Sequence, residues 1–211
     1  GAATPAPIDR IQQYLPGVEV RIYAGTGQAG GIDGPGDEAS FDGPFGVAFD
    51  ASPSDGAPSD GEASDSGGNL YVTELGSGRI RVIDPTGFVW TWVGGPSKDA
   101  QWPDSLNSPF LHPRGIAVGS KGQVYVVDSK SGLTLVEEGR LIRLSSDMSG
   151  FRDGPVAEAA FNVPGDVVVG QGDVVCLTDA LNNRVRLLNP AGVVGTLAGS
   201  GSYGYQDGPA L

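Results

Sequence analysis

Short apolar segments recur along this chain, and turns rich in glycine, proline, asparagine and aspartate separate them. They fall into groups of four, in units of roughly 50 residues, which is a period typical of repeated four-stranded sheets. The first segment of each group is apolar on both faces, so it predicts a strand that is packed on both sides. These first strands are predicted at residues 47–49, 116–118 and 167–169.

The other segments of each unit alternate between apolar and polar residues, which indicates half-buried strands. In Arg-Ile-Arg-Val-Ile, residues 79–83, the arginines share one face, so Arg81 is expected to face solvent. The second strands are predicted at residues 69–74, 123–128 and 173–179, the third at 79–83, 133–136 and 184–188, and the fourth at 88–93, 141–144 and 193–198.

Each second strand ends in an acid: Glu74, Asp128 or Asp179. A residue that recurs in every unit signals a structural role, whereas a catalytic acid is more often a departure from the repeat. A carboxylate at the end of a strand can accept backbone N–H bonds in the following turn. We therefore predict that these three carboxylates are structural.

Residues 24–35, AGTGQAGGIDGP, contain the G-x-G-x-x-G spacing of a dinucleotide-binding turn. Residues 198–209, AGSGSYGYQDGP, repeat the pattern A-G-x-G-x-x-G-x-x-D-G-P at the other end of the chain. A cofactor site is not expected twice in a chain of 211 residues, and the residues after Gly30 do not favour a helix. The motif therefore predicts a structural repeat, with neither a nucleotide nor another cofactor bound to it.

A second shared pattern, D-G-P-x-x-E-A-x-F-x-x-P, occupies residues 33–44 and 153–164. Together with Asn-Leu-Tyr-Val-Thr-Glu at residues 69–74 and G-R-I-R-V-I-D-P-x-G at 78–87, it resembles the NHL-repeat family of β-propellers. The resemblance covers residues 18–211. It implies an all-β fold, a β-propeller of four-stranded blades that is incomplete, with three blades plus one extra outer strand at the N-terminus.

Charge and composition narrow the classes of partner. The chain has 13 basic and 25 acidic residues and a net charge of −12, so it is expected to bind neither nucleic acid nor an acidic membrane surface. No apolar run reaches the roughly 20 residues of a membrane-spanning helix. The only histidine, His112, is expected in a loop and excludes a zinc site built on several histidines. The only cysteine, Cys176, takes the place of Tyr71 and Tyr125, which predicts a buried thiol.

Two stretches stand outside the repeats. Residues 1–17, GAATPAPIDRIQQYLPG, are predicted to be a linker or capping segment, with a partner-docking helix at residues 8–15 as the alternative. Residues 51–68, ASPSDGAPSDGEASDSGG, form an acidic insertion without large apolar residues, which predicts a mobile surface loop. Calcium binding and O-glycosylation are the alternatives for this insertion.

The candidate binding residues are positions at which one unit departs from the others. Arg114 and Asp166 lie at the starts of first strands, where the other units carry glycine or phenylalanine. In a propeller this position borders the mouth of the central channel, which is a usual place for ligands. Trp90 lies two residues before Trp92 on a fourth strand, and its ring is expected at the surface as an interface or glycan-stacking residue. No catalytic residue and no metal ligand is predicted.

These features predict a binding or scaffold module rather than an enzyme. The module is expected to act outside the cell, through protein–protein contacts or self-assembly at exposed blade edges. The partner is expected to be another protein, a copy of the chain or a glycan. The alternatives are a fragment of a lactonase- or lyase-like propeller enzyme and the ligand-sensing domain of a larger receptor. Because a closed ring of this family takes about six blades, three arrangements stay open: a piece of a longer protein, two chains that complete one ring, or copies stacked edge to edge.

Overall fold

The computed structural model of the chain describes residues 21–50, 68–94, 110–130, 132–137, 140–205 and 207–208. Within these residues the chain forms three antiparallel sheets, which we call blades 1, 2 and 3. The all-β fold class is therefore confirmed. The predicted segment 1–17 and residues 51–67 of the predicted insertion 51–68 lie outside the described residues.

Each blade is built from consecutive strands along the chain. Blade 1 has the order β1-β5-β4-β3-β2 and comprises β1 (Gly34–Pro35), β2 (Pro44–Phe49), β3 (Leu70–Glu74), β4 (Arg79–Ile83) and β5 (Phe88–Val93). Blade 2 has the order β6-β7-β8-β9 and comprises β6 (Pro113–Val118), β7 (Val124–Asp128), β8 (Gly132–Glu137) and β9 (Arg140–Arg143). Blade 3 has the order β10-β14-β13-β12-β11 and comprises β10 (Gly154–Pro155), β11 (Pro164–Val169), β12 (Val175–Asp179), β13 (Arg184–Leu188) and β14 (Val193–Ala198).

The predicted third and fourth strands of blades 1 and 3 match the observed strands in their bounds. The inner strands β2, β6 and β11 begin three residues earlier than predicted, at the proline that ends the repeated motif. Proline is tolerated there because it is the first residue of its strand, where a missing N–H costs little.

The outer edges of blades 1 and 3 carry a short fifth strand that the sequence analysis did not predict. Gly34 pairs with Val89 of β5, and Gly154 pairs with Val194 of β14. The extra outer strand predicted at residues 18–25 is not observed in the described part of the chain, where residues 21–25 form no strand. A strand requires a hydrogen-bonded neighbour, and the third strand beside which residues 18–25 would lie is not among the described residues.

Two apolar clusters join the three blades. The first cluster lies between blades 1 and 2 and includes Tyr71, Ile80 and Val82 on one side and Ile116 and Val126 on the other. The second lies between blades 2 and 3, where Ala117, Val127 and Leu133 pack against residues such as Val167 and Leu177. Adjacent blades are therefore held together by sheet-on-sheet burial of apolar surface.

The inner strand β6 lies between β2 and β11 and is buried on both faces, as predicted. For β2 and β11 the prediction of burial on both faces is wrong. Val47 of β2 is 64% exposed and Val168 of β11 is 58% exposed. These two strands each have a neighbouring blade on one side only among the described residues. No helix in the described part of the chain is long and apolar enough to cross a membrane.

Candidate functional site

A buried arginine organises blade 1, although the sequence pattern predicted this residue on the surface. The side chain of Arg81 is 0% exposed. Its Nη1 donates to Glu74 Oε1 and to the carbonyl oxygen of Ser40, both at 2.8 Å. Its Nη2 donates to Asp33 Oδ1 at 2.6 Å and to the carbonyl oxygen of Ile32 at 2.9 Å. A charge can be buried when it has such partners. The prediction that Arg81 faces solvent is therefore wrong, because the polar face of residues 79–83 is buried at this position as well.

Blade 3 repeats this arrangement with Arg186, which is also fully buried. Its guanidinium donates to Asp179 Oδ2 at 2.6 Å and forms a second ion pair with Asp153. The motif phenylalanines Phe41 and Phe161 lie 5.2 Å and 5.1 Å from the Arg81 and Arg186 guanidinium carbons, measured to the ring centroids. The repeated D-G-P-x-x-E-A-x-F-x-x-P motif thus supplies an aspartate and an aromatic ring to a buried arginine.

The recurring acids are structural, as predicted. Glu74 Oε1 accepts the backbone N–H of Asp42 at 3.1 Å, and Asp179 Oδ1 accepts that of Asn162 at 2.7 Å. Both donors precede the inner strand of the same blade instead of lying in the following turn. Asp128 accepts two N–H groups before β6, from Leu111 and His112, and also the N–H of Lys130 in the following turn.

A cavity of about 500 Å³ lies where the three inner strands begin. We call it the inner-strand cleft, and its lining residues are Phe45, Gly46, Val47, Arg114, Gly115, Ile116, Gly165, Asp166 and Thr178. The structure therefore brings together Arg114 and Asp166, two of the residues selected from the sequence. The volume lies within the range of small-molecule sites, which is about 300–1,000 Å³.

Arg114 contributes a cation to the inner-strand cleft. Its guanidinium carbon lies 5.5 Å from the centroid of the Phe45 ring, within the range of a cation–π contact. The side chain makes no hydrogen bond or ion pair with any residue that the structure describes, and its buried Nε lacks a partner there. Its backbone carbonyl, by contrast, accepts a hydrogen bond of 2.7 Å from the Thr73 hydroxyl of blade 1.

Asp166 contributes an anion to the same cleft and is exposed. Its Oδ1 accepts the backbone N–H of Val167 at 2.9 Å, and its own N–H donates to Thr178 Oγ1 at 2.9 Å. Gly46 and Gly115 occupy the equivalent place in blades 1 and 2. A Cβ on Gly46 would lie 2.3 Å from the Arg114 carbonyl oxygen, so glycine is required where the next blade approaches closely.

Phe45 and Thr178 are cleft residues that the sequence analysis did not select. Phe45 is 56% exposed although it is a large apolar residue. Thr178 could have been found from the repeat itself. Threonine stands at this position in blades 1 and 3, as Thr73 and Thr178, whereas blade 2 has Val127.

Trp90 does not belong to the cleft and is not the surface residue that was expected. It is partly buried and packs against the cluster between blades 1 and 2. Trp92 packs beside it, with its ring centroid 4.9 Å from that of Tyr71. In strand β5 the two rings share the face that meets blade 2, so burial between the blades decides the position of both.

Blade 3 has an apolar face that no described residue covers. We call it the forward face of blade 3, and it includes Val168, Cys176, Thr178, Val185 and Leu187, which are register partners across β11, β12 and β13. The equivalent residues of blade 1 are Ala48, Tyr71, Thr73, Ile80 and Val82. They pack against blade 2. Cys176 is therefore only partly buried, contrary to the prediction of a buried thiol.

Blade 1 has an uncovered apolar face on the side that points away from blade 2, along its inner strand β2. Val47 and Phe49 are exposed there, and we call these two residues, with Phe45, the rear face of blade 1. In blade 2 the equivalent residues Ile116 and Val118 pack against blade 1. The outer strands of blade 1 are covered on this side by residues such as Ala39 and Phe41.

A second cavity, of about 650 Å³, lies at the opposite ends of the inner strands and is lined by residues such as Asp50, Ser120 and Asp173. The backbone N–H and the hydroxyl of Ser120 donate to the Asp173 carboxylate at 2.9 and 2.8 Å. These two hydrogen bonds lower the pKa of Asp173. Asp173 therefore links blades 2 and 3 as an ionised acceptor.

His112 is exposed in the loop before β6, as predicted. Among the described residues, no group of three or more histidine, cysteine, aspartate or glutamate side chains could hold a metal ion.

Comparison with known proteins identifies the fold. A model of the NHL repeat matches residues 110–141, which span β6, β7, β8 and the first residues of β9. No curated protein matches the chain in sequence. The structure is similar to an auxiliary nutrient binding protein from Bacteroides ovatus, with 20% identity and a TM-score of 0.51 over 76% of this chain and 37% of that one. It is also similar to a gluconolactonase from Xanthomonas campestris, with 14% identity and a TM-score of 0.52 over 75% of this chain and 48% of that one.

The chain spans 37% to 48% of the length of these two structures. At this level of identity the similarity shows the fold alone. The resemblance to the NHL-repeat β-propellers is confirmed by the repeat match and by this shared architecture.

Proposed function

We propose that this chain, which carries an NHL repeat and has a β-propeller fold, is a non-catalytic binding and scaffold module that assembles head to tail with a second copy outside the cell. The supporting observation is that one chain presents both halves of its own blade–blade interface. The forward face of blade 3 repeats the residues with which blade 1 meets blade 2. The rear face of blade 1 repeats the residues with which blade 2 meets blade 1.

The chemistry of the two faces fits this pairing. Val168 and Val47 are 58% and 64% exposed, so each face offers apolar surface whose burial releases water. Contiguous exposed apolar patches mark interaction sites in soluble proteins. A contact between two different faces is heterologous, and it gives a ring if the rotation closes and a filament if it does not. Two copies with three blades each would match the six blades of a closed ring.

Asp166 sets the fit of this contact. Gly46 and Gly115 allow the next inner strand to approach blades 1 and 2, whereas blade 3 has an aspartate side chain at the equivalent position. A partner strand must therefore lie farther from β11 than β6 lies from β2. The contact is expected to be weaker than the two internal interfaces, and D166G is expected to tighten it.

The experiment is light scattering of purified 1–211 with negative-stain imaging. We expect a dimer or a larger assembly for the native chain, and a monomer for V168D because a carboxylate would be buried without a partner. L181D is the matched control, since Leu181 is 63% exposed but lies in the 3₁₀ turn outside the face. V47D is expected to be monomeric for the same reason as V168D.

A mixture of V47D and V168D tests the head-to-tail geometry. Each variant retains one intact face, so the mixture should form a heterodimer with a single interface although neither variant associates alone. A monodisperse native monomer, or equal behaviour of V168D and L181D, would overturn the proposal. The enzyme and receptor alternatives predict that monomer, together with substrate turnover or a response to a small ligand.

A further inference from the structure

The inner-strand cleft contains two opposite charges that do not pair with each other. The guanidinium of Arg114 has no hydrogen-bond or ion-pair partner among the described residues. The carboxylate of Asp166 accepts one bond, from the backbone N–H of Val167, which leaves its second oxygen available. In the buried ion pairs of blades 1 and 3, by contrast, the arginine Nη1 atom lies within 2.8 Å of a carboxylate oxygen. An unpaired cation and an unpaired anion in one cavity indicate a ligand that carries both charges.

We propose that the inner-strand cleft binds a small zwitterion of the α-amino acid class. Its carboxylate would be received by Arg114, whose planar guanidinium matches a carboxylate with two parallel donors. Its ammonium group would be received by Asp166. A ligand with only an anionic group would face Asp166 and a chain of net charge −12. A ligand with only a cationic group would leave Arg114 without a partner.

Thr178 supplies a further donor for the carboxylate. Its oxygen accepts the N–H of Asp166, but its hydroxyl hydrogen has no acceptor in the described part of the chain. The equivalent residue of blade 1, Thr73, donates its hydroxyl hydrogen to the Arg114 carbonyl oxygen. The hydroxyl hydrogen of Thr178 is therefore free to donate, whereas that of Thr73 is engaged, and Thr178 lines the cleft.

The apolar wall of the cleft indicates the side chain that the amino acid would carry. Phe45 is 56% exposed and Val47 is 64% exposed, and both line the cavity beside Arg114. An aromatic side chain would bury these surfaces and stack against the Phe45 ring. Within the class, aromatic amino acids are therefore expected to bind more tightly than glycine or alanine.

The test uses three ligands of nearly equal shape: L-phenylalanine, 3-phenylpropionate and 2-phenylethylamine. The second lacks the ammonium group and the third lacks the carboxylate. Binding is measured by titration calorimetry and by saturation-transfer NMR on the native chain and on V168D, whose cleft association does not cover. We expect L-phenylalanine to bind, and each analogue to bind roughly 10-fold more weakly or worse, because a charge-assisted hydrogen bond is lost.

Substitutions assign the two charges. R114Q should weaken L-phenylalanine roughly 10-fold and should remove the preference over 2-phenylethylamine. D166N should remove the preference over 3-phenylpropionate. R140Q is the matched control, since Arg140 is an exposed arginine at the start of β9, and thermal unfolding verifies that each variant is folded. Equal binding of all three ligands, no binding of L-phenylalanine by V168D, or native affinity in R114Q would overturn the proposal.

The cleft shares Phe45, Val47 and Thr178 with the two assembly faces, so association would cover part of its wall. Val168 does not line the cleft, so V168D should abolish association and retain or raise the affinity for L-phenylalanine. A native monomer that binds L-phenylalanine would contradict only the assembly, whereas a monomeric V168D that does not bind L-phenylalanine would contradict only the amino-acid site.

Discussion

Blades 1 and 3 differ from blade 2 at one interior position of the third strand. Arg81 and Arg186 occupy a position that is Thr134 in blade 2, as the pairing of Val126 with Thr134 shows. All three side chains are buried. In blades 1 and 3 the arginine joins the acid of the second strand to the D-G-P segment at the outer edge.

The acid that ends the second strand has the same role in all three blades. Glu74, Asp128 and Asp179 each accept backbone N–H groups from the residues that precede the inner strand. This task does not require an arginine, since Asp128 performs it in a blade that has Thr134 in place of the arginine. The arginine has a separate task, which is to attach the outer segment of its blade through Asp33 or Asp153.

The largest expected effect comes from removing the arginine of blade 3. R186M would leave the buried carboxylate of Asp179 without its cation, which costs about 3–5 kcal/mol of the free energy of unfolding. The measurement is urea unfolding followed by circular dichroism. T134V in blade 2 is the matched control and should change the free energy of unfolding by about 1 kcal/mol or less. A loss in R186M no greater than in T134V would contradict the role assigned to the arginine.

A smaller effect is expected from the acid of blade 2. D128N replaces one acceptor oxygen by an amide that cannot accept, so at least one of the three N–H groups at Asp128 loses its bond. We expect a loss of about 1–3 kcal/mol in the free energy of unfolding. D147N, at an exposed aspartate, is the control and should be close to neutral in the same urea experiment. An equal loss in the two variants would show that Asp128 is dispensable.

The threonine that blade 2 lacks provides a third comparison. T73V removes the hydroxyl that accepts the Gly46 N–H and donates to the Arg114 carbonyl oxygen, so two backbone groups lose a partner. T178V removes one such bond, at an exposed position. We expect T73V to cost about 1 kcal/mol or more, and T178V to cost less. Thermal unfolding of the two variants measures the difference, and the opposite order would contradict it.

The smallest effect is the pH dependence that Asp84 gives to blade 1. Asp84 and Asn189 form the same turn in blades 1 and 3, and each accepts two backbone N–H groups. Partial burial opposes ionisation of Asp84, but the hydrogen bonds from Thr86, Phe88 and Gly87 outweigh it and lower the pKa below its ordinary value of 3.8. The ionised carboxylate therefore stabilises the fold above about pH 4 and loses this effect as the pH falls through the lowered pKa.

D84N tests this pH dependence, because it copies the asparagine of blade 3. We expect nearly unchanged stability at pH 7 and a shallower loss of stability between pH 4 and pH 2. Thermal unfolding at pH 7 and at several values between pH 4 and pH 2 measures this difference. N189D should introduce the same pH dependence into blade 3. Identical acid profiles for the native chain and D84N would rule out the contribution of Asp84.

Much of the fold was predictable because strands and turns leave local patterns. The bounds of β4, β5, β13 and β14 follow from alternation and from the turn residues between them. The candidate cleft was predictable only through Arg114 and Asp166, which depart from the repeat. The burial of Arg81 and Trp90 was not predictable, since an arginine or tryptophan in an alternating strand gives no sign of what covers its face.

The sequence by itself determined the repeated four-stranded sheets, their turns and the structural role of the recurring acids, because these depend on short-range pattern and on comparison between units. Only the tertiary structure decided which faces are covered and which charges meet. Asp33 reaches Arg81 across 48 residues, and Thr73 reaches the carbonyl of Arg114 across 41. Contacts over such separations depend on how whole sheets pack, and no local pattern records that packing.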